Sequence, residues 1–139
     1  MKINAKELVE AANRARLASY SPYSNVAVGA ALLCSDGKIY EGCNIENASY
    51  TPTCCAERVA FFKAVSEGRR DFVAIAIVGG KADAEELEFC YPCGVCRHVM
   101  SEFCDADFKV ILSNSRGEIL EETLDGVLPY RFKLKQTEN

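Results

Sequence analysis

The sequence predicts an α/β fold, a mixed sheet with helices packed on its faces. Three observations predict it. Helical periodicity alternates with short β-type runs along the chain, a tight polar turn joins two of those runs, and two later runs are connected through a helical segment. Strands joined through a helix are expected to be parallel, and strands joined by a tight turn antiparallel.

Taken in order, Asn4 followed by Glu7 is a helix start, and Leu8, Ala11, Ala12 and Ala15 recur at helical spacing up to about Ala18. Ser21-Pro22-Tyr23-Ser24 breaks this helix. Val26 to Cys34 reads as a strand that turns through Ser35-Asp36-Gly37 into a second strand, Ile39 to Cys43. After a polar loop, Asn44 to Thr53, the run Ala56, Val59, Ala60, Ala64 and Val65 is helical and stops at Gly68. Phe72 to Val78 is a continuous apolar run rich in β-branched residues, the pattern of a strand covered on both faces. Cys93 to Phe103 is helical again, with Cys96, Val99, Met100 and Phe103 on one side. Phe108 to Leu112 is another strand, returned by Asn114-Ser115-Arg116-Gly117 into Glu118 to Leu120. The 139 residues, 49% of them apolar, are expected to form one domain with a real core, with a loose tail at 135–139.

The bulk numbers exclude some functions. A net charge of -4 does not suit a protein that grips phosphate backbones, so a polymeric nucleic acid is not the expected substrate. The N-terminal residues from Met1 to Glu7 lack the apolar stretch of a signal peptide, and no window has the apolar length of a membrane span, so a cytoplasmic protein is expected. In a reducing compartment, eight cysteines read as metal ligands or buried thiols rather than as a disulfide framework. Cys34, Cys43 and Cys104 lie in apolar runs and are expected to be buried thiols.

Two segments concentrate the chemistry: Cys54-Cys55-Ala56-Glu57-Arg58, and Cys90-Tyr91-Pro92-Cys93-Gly94-Val95-Cys96, with 37 residues between Cys55 and Cys93. Both lie at expected helix starts, where the positive end of the dipole favours the thiolate that binds zinc. Cys93 and Cys96, three apart in the first turn, can share one ion. A second register exists, because Cys90-x-x-Cys93 overlaps the first and Cys54 adjoins Cys55. Pro92, suited to a position just before or at the first helical residue, favours Cys93 and Cys96 over Cys90. Glu57, two residues on, favours Cys55 over Cys54. Three thiolates leave one tetrahedral position for water, as a catalytic zinc site requires, and zinc lowers the pKa of such a water from about 15.7 towards 7. Glu57 is the carboxylate placed to move its proton. Arg58 is placed to hydrogen-bond the sulfurs and offset their charge. A redox pair would leave the Cys55 segment unexplained, and a structural zinc module would need a fourth ligand from Cys54, Cys90 or His98. His98 reads as a surface or packing residue.

Cys55-Ala56-Glu57-Arg58 together with Pro92-Cys93-Gly94-Val95-Cys96 resembles the paired motifs of the small homotetrameric zinc-dependent cytidine deaminases, and fits the zinc-deaminase signature in its three-cysteine form. The resemblance extends over Ser21-Pro22-Tyr23-Ser24, Val28 to Leu33, Gly42 to Ala48, Phe62 to Gly68 and Leu128-Pro129, roughly residues 5 to 132. It implies a five-stranded mixed sheet with helices on both faces and one zinc per subunit. It also implies attack of zinc-bound hydroxide on C4 of cytidine or 2′-deoxycytidine, with Glu57 shuttling protons to N3 and to the leaving ammonia, in pyrimidine salvage. Asn44 and Glu46 would hydrogen-bond the ribose 3′-hydroxyl, and the backbone of Ala56 would contact the base. Tyr50 and Phe132 match positions that reach a neighbouring subunit's active site, which implies a homotetramer with shared sites.

Most relatives in that family carry phenylalanine where this chain has Val26, and the resemblance implies that this ring packs on the pyrimidine. Its absence leaves room beside the base, which raises a relaxed-specificity enzyme acting on 4-substituted cytidines as an alternative. Tyr91 and His98 are further departures, and Tyr91 could narrow the entrance. A blasticidin-type antibiotic deaminase shares the metal motifs, although Asn44-x-Glu46 favours the nucleoside. In a non-catalytic zinc module Glu57 would have no special duty.

Overall fold

The computed structural model describes residues 2–137. Of the expected tail, 138 and 139 lie outside the described residues, as does Met1. The elements are α1 (Ala5–Arg16), β1 (Val26–Cys34), β2 (Ile39–Cys43), α2 (Ala56–Ser66), β3 (Phe72–Lys81), α3 (Gly94–Phe103), β4 (Lys109–Ser113), β5 (Ile119–Thr123) and α4 (Leu124–Val127). They form a five-stranded mixed sheet in the order β2-β1-β3-β4-β5. β3 and β4 are parallel, and every other neighbouring pair is antiparallel.

α1 begins as its sequence requires, with the side chain of Asn4 accepting from the backbone N–H of Glu7 at 3.1 Å. It lays Leu8, Ala11 and Ala12 on one face of the sheet against Ala31, Leu33, Ala74 and Ala76. The small side chains let helix and strand come close, and only glycine fits at the crossing. A Cβ on Gly29 would sit 2.0 Å from the Ala12 carbonyl oxygen. The opposite face carries α2 and α3, whose Phe61 and Met100 pack with Ala30, Leu32, Ile75, Ile77, Val110 and Leu112. Alternate residues of β1 and β3 thus enter two different cores, and both strands read as apolar runs.

Several boundaries differ from the sequence reading. α1 stops at Arg16, capped by Leu17, rather than near Ala18. β3 continues past Val78 through Gly79-Gly80 to Lys81. Gly79 is a point of close contact rather than a stop, since a Cβ there would lie 2.7 Å from Cγ2 of Val28. β4 is one residue later than expected, and β5 runs to Thr123 before the one-turn α4, which is too short to leave a periodic signal. Cys34 and Cys104 are buried, but Cys43 is only half-buried, because β2 is an edge strand whose buried positions are Tyr40 and Gly42.

The topology decides where the chemistry meets. β2 and β3 are both antiparallel to β1, so they run in the same direction and end on the same edge of the sheet. Each is followed by a loop and then a helix, so α2 and α3 both begin at that edge. β1 starts there too, with Val26 paired to Lys81.

Candidate active site

Cys55 is the N-cap of α2 and Cys93 the N-cap of α3, both in extended backbone conformation. Cys93 therefore caps its helix instead of lying inside it, its sulfur accepting from the Cys96 N–H at 3.4 Å. Cys55 makes no side-chain cap, which leaves its sulfur free to turn towards α3. Cys55 Sγ lies 3.9 Å from Cys93 Sγ, and Cys93 Sγ lies 3.4 Å from Cys96 Sγ. All three sulfurs fall within 4.8 Å of one another. Disulfide sulfurs would be about 2 Å apart. A tetrahedral zinc holding each sulfur at about 2.3 Å needs them about 3.8 Å apart, and the donor set fits it.

Cys54 and Cys90 stay out of this cluster. The backbone of Cys54 is tied to Ile45 in a two-way bridge, with both N–H···O distances at 2.9 Å. Burial pushes the Cys90 thiol up to about 11. Position α2 must be held tightly for Cys55 to meet α3, and Gly42 provides for this. A Cβ there would lie 2.5 Å from the Ala56 carbonyl oxygen and 2.6 Å from the Ala60 nitrogen.

The electrostatics of the three thiols favour a cation. The Cys55 thiol is pulled down to about 5, first by the hydrogen bond with Cys96 and then, against burial, by Arg58. The Cys96 thiol is pushed strongly up, first by donating to Cys55, then by burial and the negative charge of Glu57. One thiolate forms readily and the next does not, unless a divalent ion takes the place of the protons. Arg58 Nη2 donates to Cys55 Sγ at 3.3 Å. Glu57, on the first turn of α2, is 5% exposed, and burial pushes its carboxyl up to about 6.

A second group of polar residues lies on the loops of the same edge. Asn44 is buried and spent almost completely: Nδ2 donates to the Val26 carbonyl at 2.7 Å, while Oδ1 accepts from the Val28 N–H at 2.9 Å and from the Ser19 hydroxyl. One amide N–H of Asn44 remains. Glu46 Oε1 accepts from the N–H groups of Tyr23 and Ser24 at 3.0 and 3.2 Å, and Oε2 accepts from the Ser24 hydroxyl. The sequence reading gave Ser19 no part and placed Ser24 only within the Ser21-Pro22-Tyr23-Ser24 segment, with no contact to Glu46, since a serine in a loop gives no periodic or spacing signal for its partner. Tyr23, Ser24, Glu46, Tyr50 and Thr53 line a cavity of about 430 Å³, within the range of small-molecule sites. Ala56 is the first residue of α2, whose N–H has no partner within the helix. Val26 is half-buried and lies on the same sheet face as Val28, which packs against the core beneath α2 and α3. Tyr50 and Phe132 are 71% and 68% exposed. His98 is also exposed, with Nε2 3.3 Å from the Phe132 carbonyl oxygen.

Fold and site together define an α/β zinc protein whose three-thiol set leaves a coordination position free beside a buried carboxylate. Residues 2–112 match the family described as "Cytidine and deoxycytidylate deaminase zinc-binding region", and the chain belongs to that family. It is 54% identical over 125 residues to the cytidine deaminase of Halalkalibacterium halodurans, covering 90% of this chain and 91% of that one. It is 49% identical over 130 residues to the cytidine deaminase of Sporosarcina psychrophila, covering 94% and 92%. The crystal structure of cytidine deaminase from Burkholderia pseudomallei superposes with a TM-score of 0.85 at 43% identity, covering 94% of this chain and all of that one.

Proposed function

We propose that this protein is a zinc-dependent hydrolase that converts cytidine and 2′-deoxycytidine to the uridine forms with release of ammonia, in cytoplasmic pyrimidine salvage. The observation that carries the proposal is the convergence of Cys55, Cys93 and Cys96 from two helix starts beside the buried Glu57. In this reading the three cysteines hold the metal and Arg58 offsets part of their negative charge. Bound zinc supplies a Lewis acid and brings the pKa of water near 7.

The remaining work falls to the chain. Hydrolysis forms a C4–O bond, breaks the C4–N bond, and requires protons to move from water to N3 and to the departing nitrogen. A carboxyl group raised to about 6 accepts a proton and returns it near neutral pH, which suits Glu57 to both transfers. The free N–H of Asn44 and the remaining lone pair on Glu46 Oε2 are the groups available to a sugar hydroxyl. Val26 would face the base together with the backbone of Ala56. Tyr50 and Phe132, exposed in the single chain, would be covered by neighbouring copies and would complete their sites, in a homotetramer.

An absorbance assay of zinc-loaded protein with cytidine, 2′-deoxycytidine, a 4-substituted cytidine and blasticidin S tests this. Turnover of the two nucleosides is expected, and none with either would overturn the proposal. Val26→Phe should lower the KM for cytidine and narrow the tolerance of 4-substituents. A filled aromatic contact contributes about 0.5–1.5 kcal/mol, or roughly a 2- to 12-fold change. No change in either property would remove the role given to Val26.

A further inference from the structure

Arg97 follows Cys96 on α3, and the sequence reading gave it no part. The residue is half-buried, and its guanidinium makes two backbone contacts through separate nitrogens. Nε donates to the carbonyl of Pro92 at 2.7 Å, and Nη1 donates to the carbonyl of Val127 at 2.8 Å. Pro92 is buried and immediately precedes Cys93, so the first contact fixes the peptide from which Cys93 enters the helix. The second contact holds the last residue of α4, where the chain leaves towards Leu128 and Phe132. That exit is held again farther along. Arg131 donates to Asp125 at 3.0 Å and reaches the Leu128 carbonyl at 3.5 Å, and the Phe132 carbonyl lies by His98 of α3.

We infer that Arg97 is a positioning residue that sets Cys93 and the Leu128–Phe132 segment relative to one another, linking metal retention to the placement of Phe132. The inference rests on the proposed function, in which Cys93 is a zinc ligand and Phe132 contributes to a neighbouring site. The guanidinium suits the task because its planar fork presents separate donors at fixed angles, so one side chain serves two carbonyls. A lysine ammonium in the same place is a point donor and cannot hold both in that geometry.

The test uses Arg97→Ala, Phe132→Ala and the double variant, each purified with zinc. Zinc release to a chromogenic chelator and KM for cytidine are both measured. Arg97→Ala should release zinc about 10- to 100-fold faster than the parent, the usual scale for losing a group that supports a metal ligand. Its KM should also rise, and that rise should shrink or vanish once Phe132 is already alanine, because the two changes remove the same contribution. If Arg97→Ala does not fold, Arg97→Lys keeps the stem and one donor, and the same comparison applies with smaller changes. An unchanged release rate overturns the inference, as does a KM effect that multiplies independently of Phe132. Zinc content of the unsubstituted protein separates the two levels: a parent that binds no zinc sinks the metal assignment itself, whatever the variants do.

Discussion

The cysteine end and the loop end of the site are built on different principles. The three sulfurs are carried by the starts of two helices, whose following turns are anchored by fully buried Ala60, Phe61, Cys96 and Met100. Asn44 and Glu46 lie on an irregular loop, and no apolar anchor holds them. They are placed by hydrogen bonds to other loops and to the start of β1, in a region where Asn25 and Tyr50 take positive φ values of 58° and 62°. Packing therefore fixes the groups assigned to the reaction, and a polar network fixes the groups assigned to recognition. Damage at the first end should appear in turnover with the fold intact. Damage at the second should appear in binding and local stability together.

The largest expected effect breaks the cysteine end. Glu57→Gln should retain zinc, keep its fold and lose about 10²- to 10⁴-fold in kcat, the usual worth of a positioned proton-transfer group. Metal content and steady-state kinetics check it, and a variant with near-normal turnover would return the site to a structural role. A smaller effect is expected at the loop end from Asn44→Ala, which strips partners from the Val26 carbonyl, the Val28 N–H and the Ser19 hydroxyl. Groups left unpaired cost about 1–3 kcal/mol, so urea unfolding should shift by that order while KM rises more than kcat falls. A pure kcat loss at unchanged stability would erase the distinction between the two ends.

The smallest effect concerns pH. The Ser24 hydroxyl, with the amides of Tyr23 and Ser24, holds the Glu46 carboxyl below its ordinary value of 4.5. A carboxylate lowered on folding adds stability that is present above the ordinary value and is lost as pH falls through the lowered one. Acidification below about 4.5 should therefore loosen the Tyr23–Ser24 turn. The amide resonances of those two residues should titrate together in the parent protein and stay flat in Glu46→Gln. Flat resonances in the parent would show that Glu46 does not hold the loop.

Legibility in the sequence followed the same division. Helix starts, the β1–β2 hairpin and the buried strand β3 were readable because each carries a local signal: an Asn4 cap, a Ser35-Asp36-Gly37 turn, a β-branched run. The metal cluster was readable because its spacing and the glutamate two residues after Cys55 leave a mark on the chain. α4 was not, since four residues show no period, and the stretch of β3 beyond Val78 was not, since Gly79 and Gly80 extend no apolar run although the structure packs them closely. The parts played by Ser19 and Ser24 were invisible because their partners, the Asn44 and Glu46 side chains, are remote in sequence, and that of Arg97 because it serves backbone carbonyls, which carry no residue identity.

By itself the sequence determined which side chains can bind a metal, which carboxylate stands beside them, and, α4 apart, which segments become helices and strands, because those properties depend on residue type and short-range spacing. Only the tertiary structure decided that β2 and β3 end on one edge, which brings the starts of α2 and α3 together and makes one site of Cys55 and Cys93. It likewise decided the environment of Glu57, since a raised carboxyl requires burial and no spacing rule states how much water a folded chain excludes.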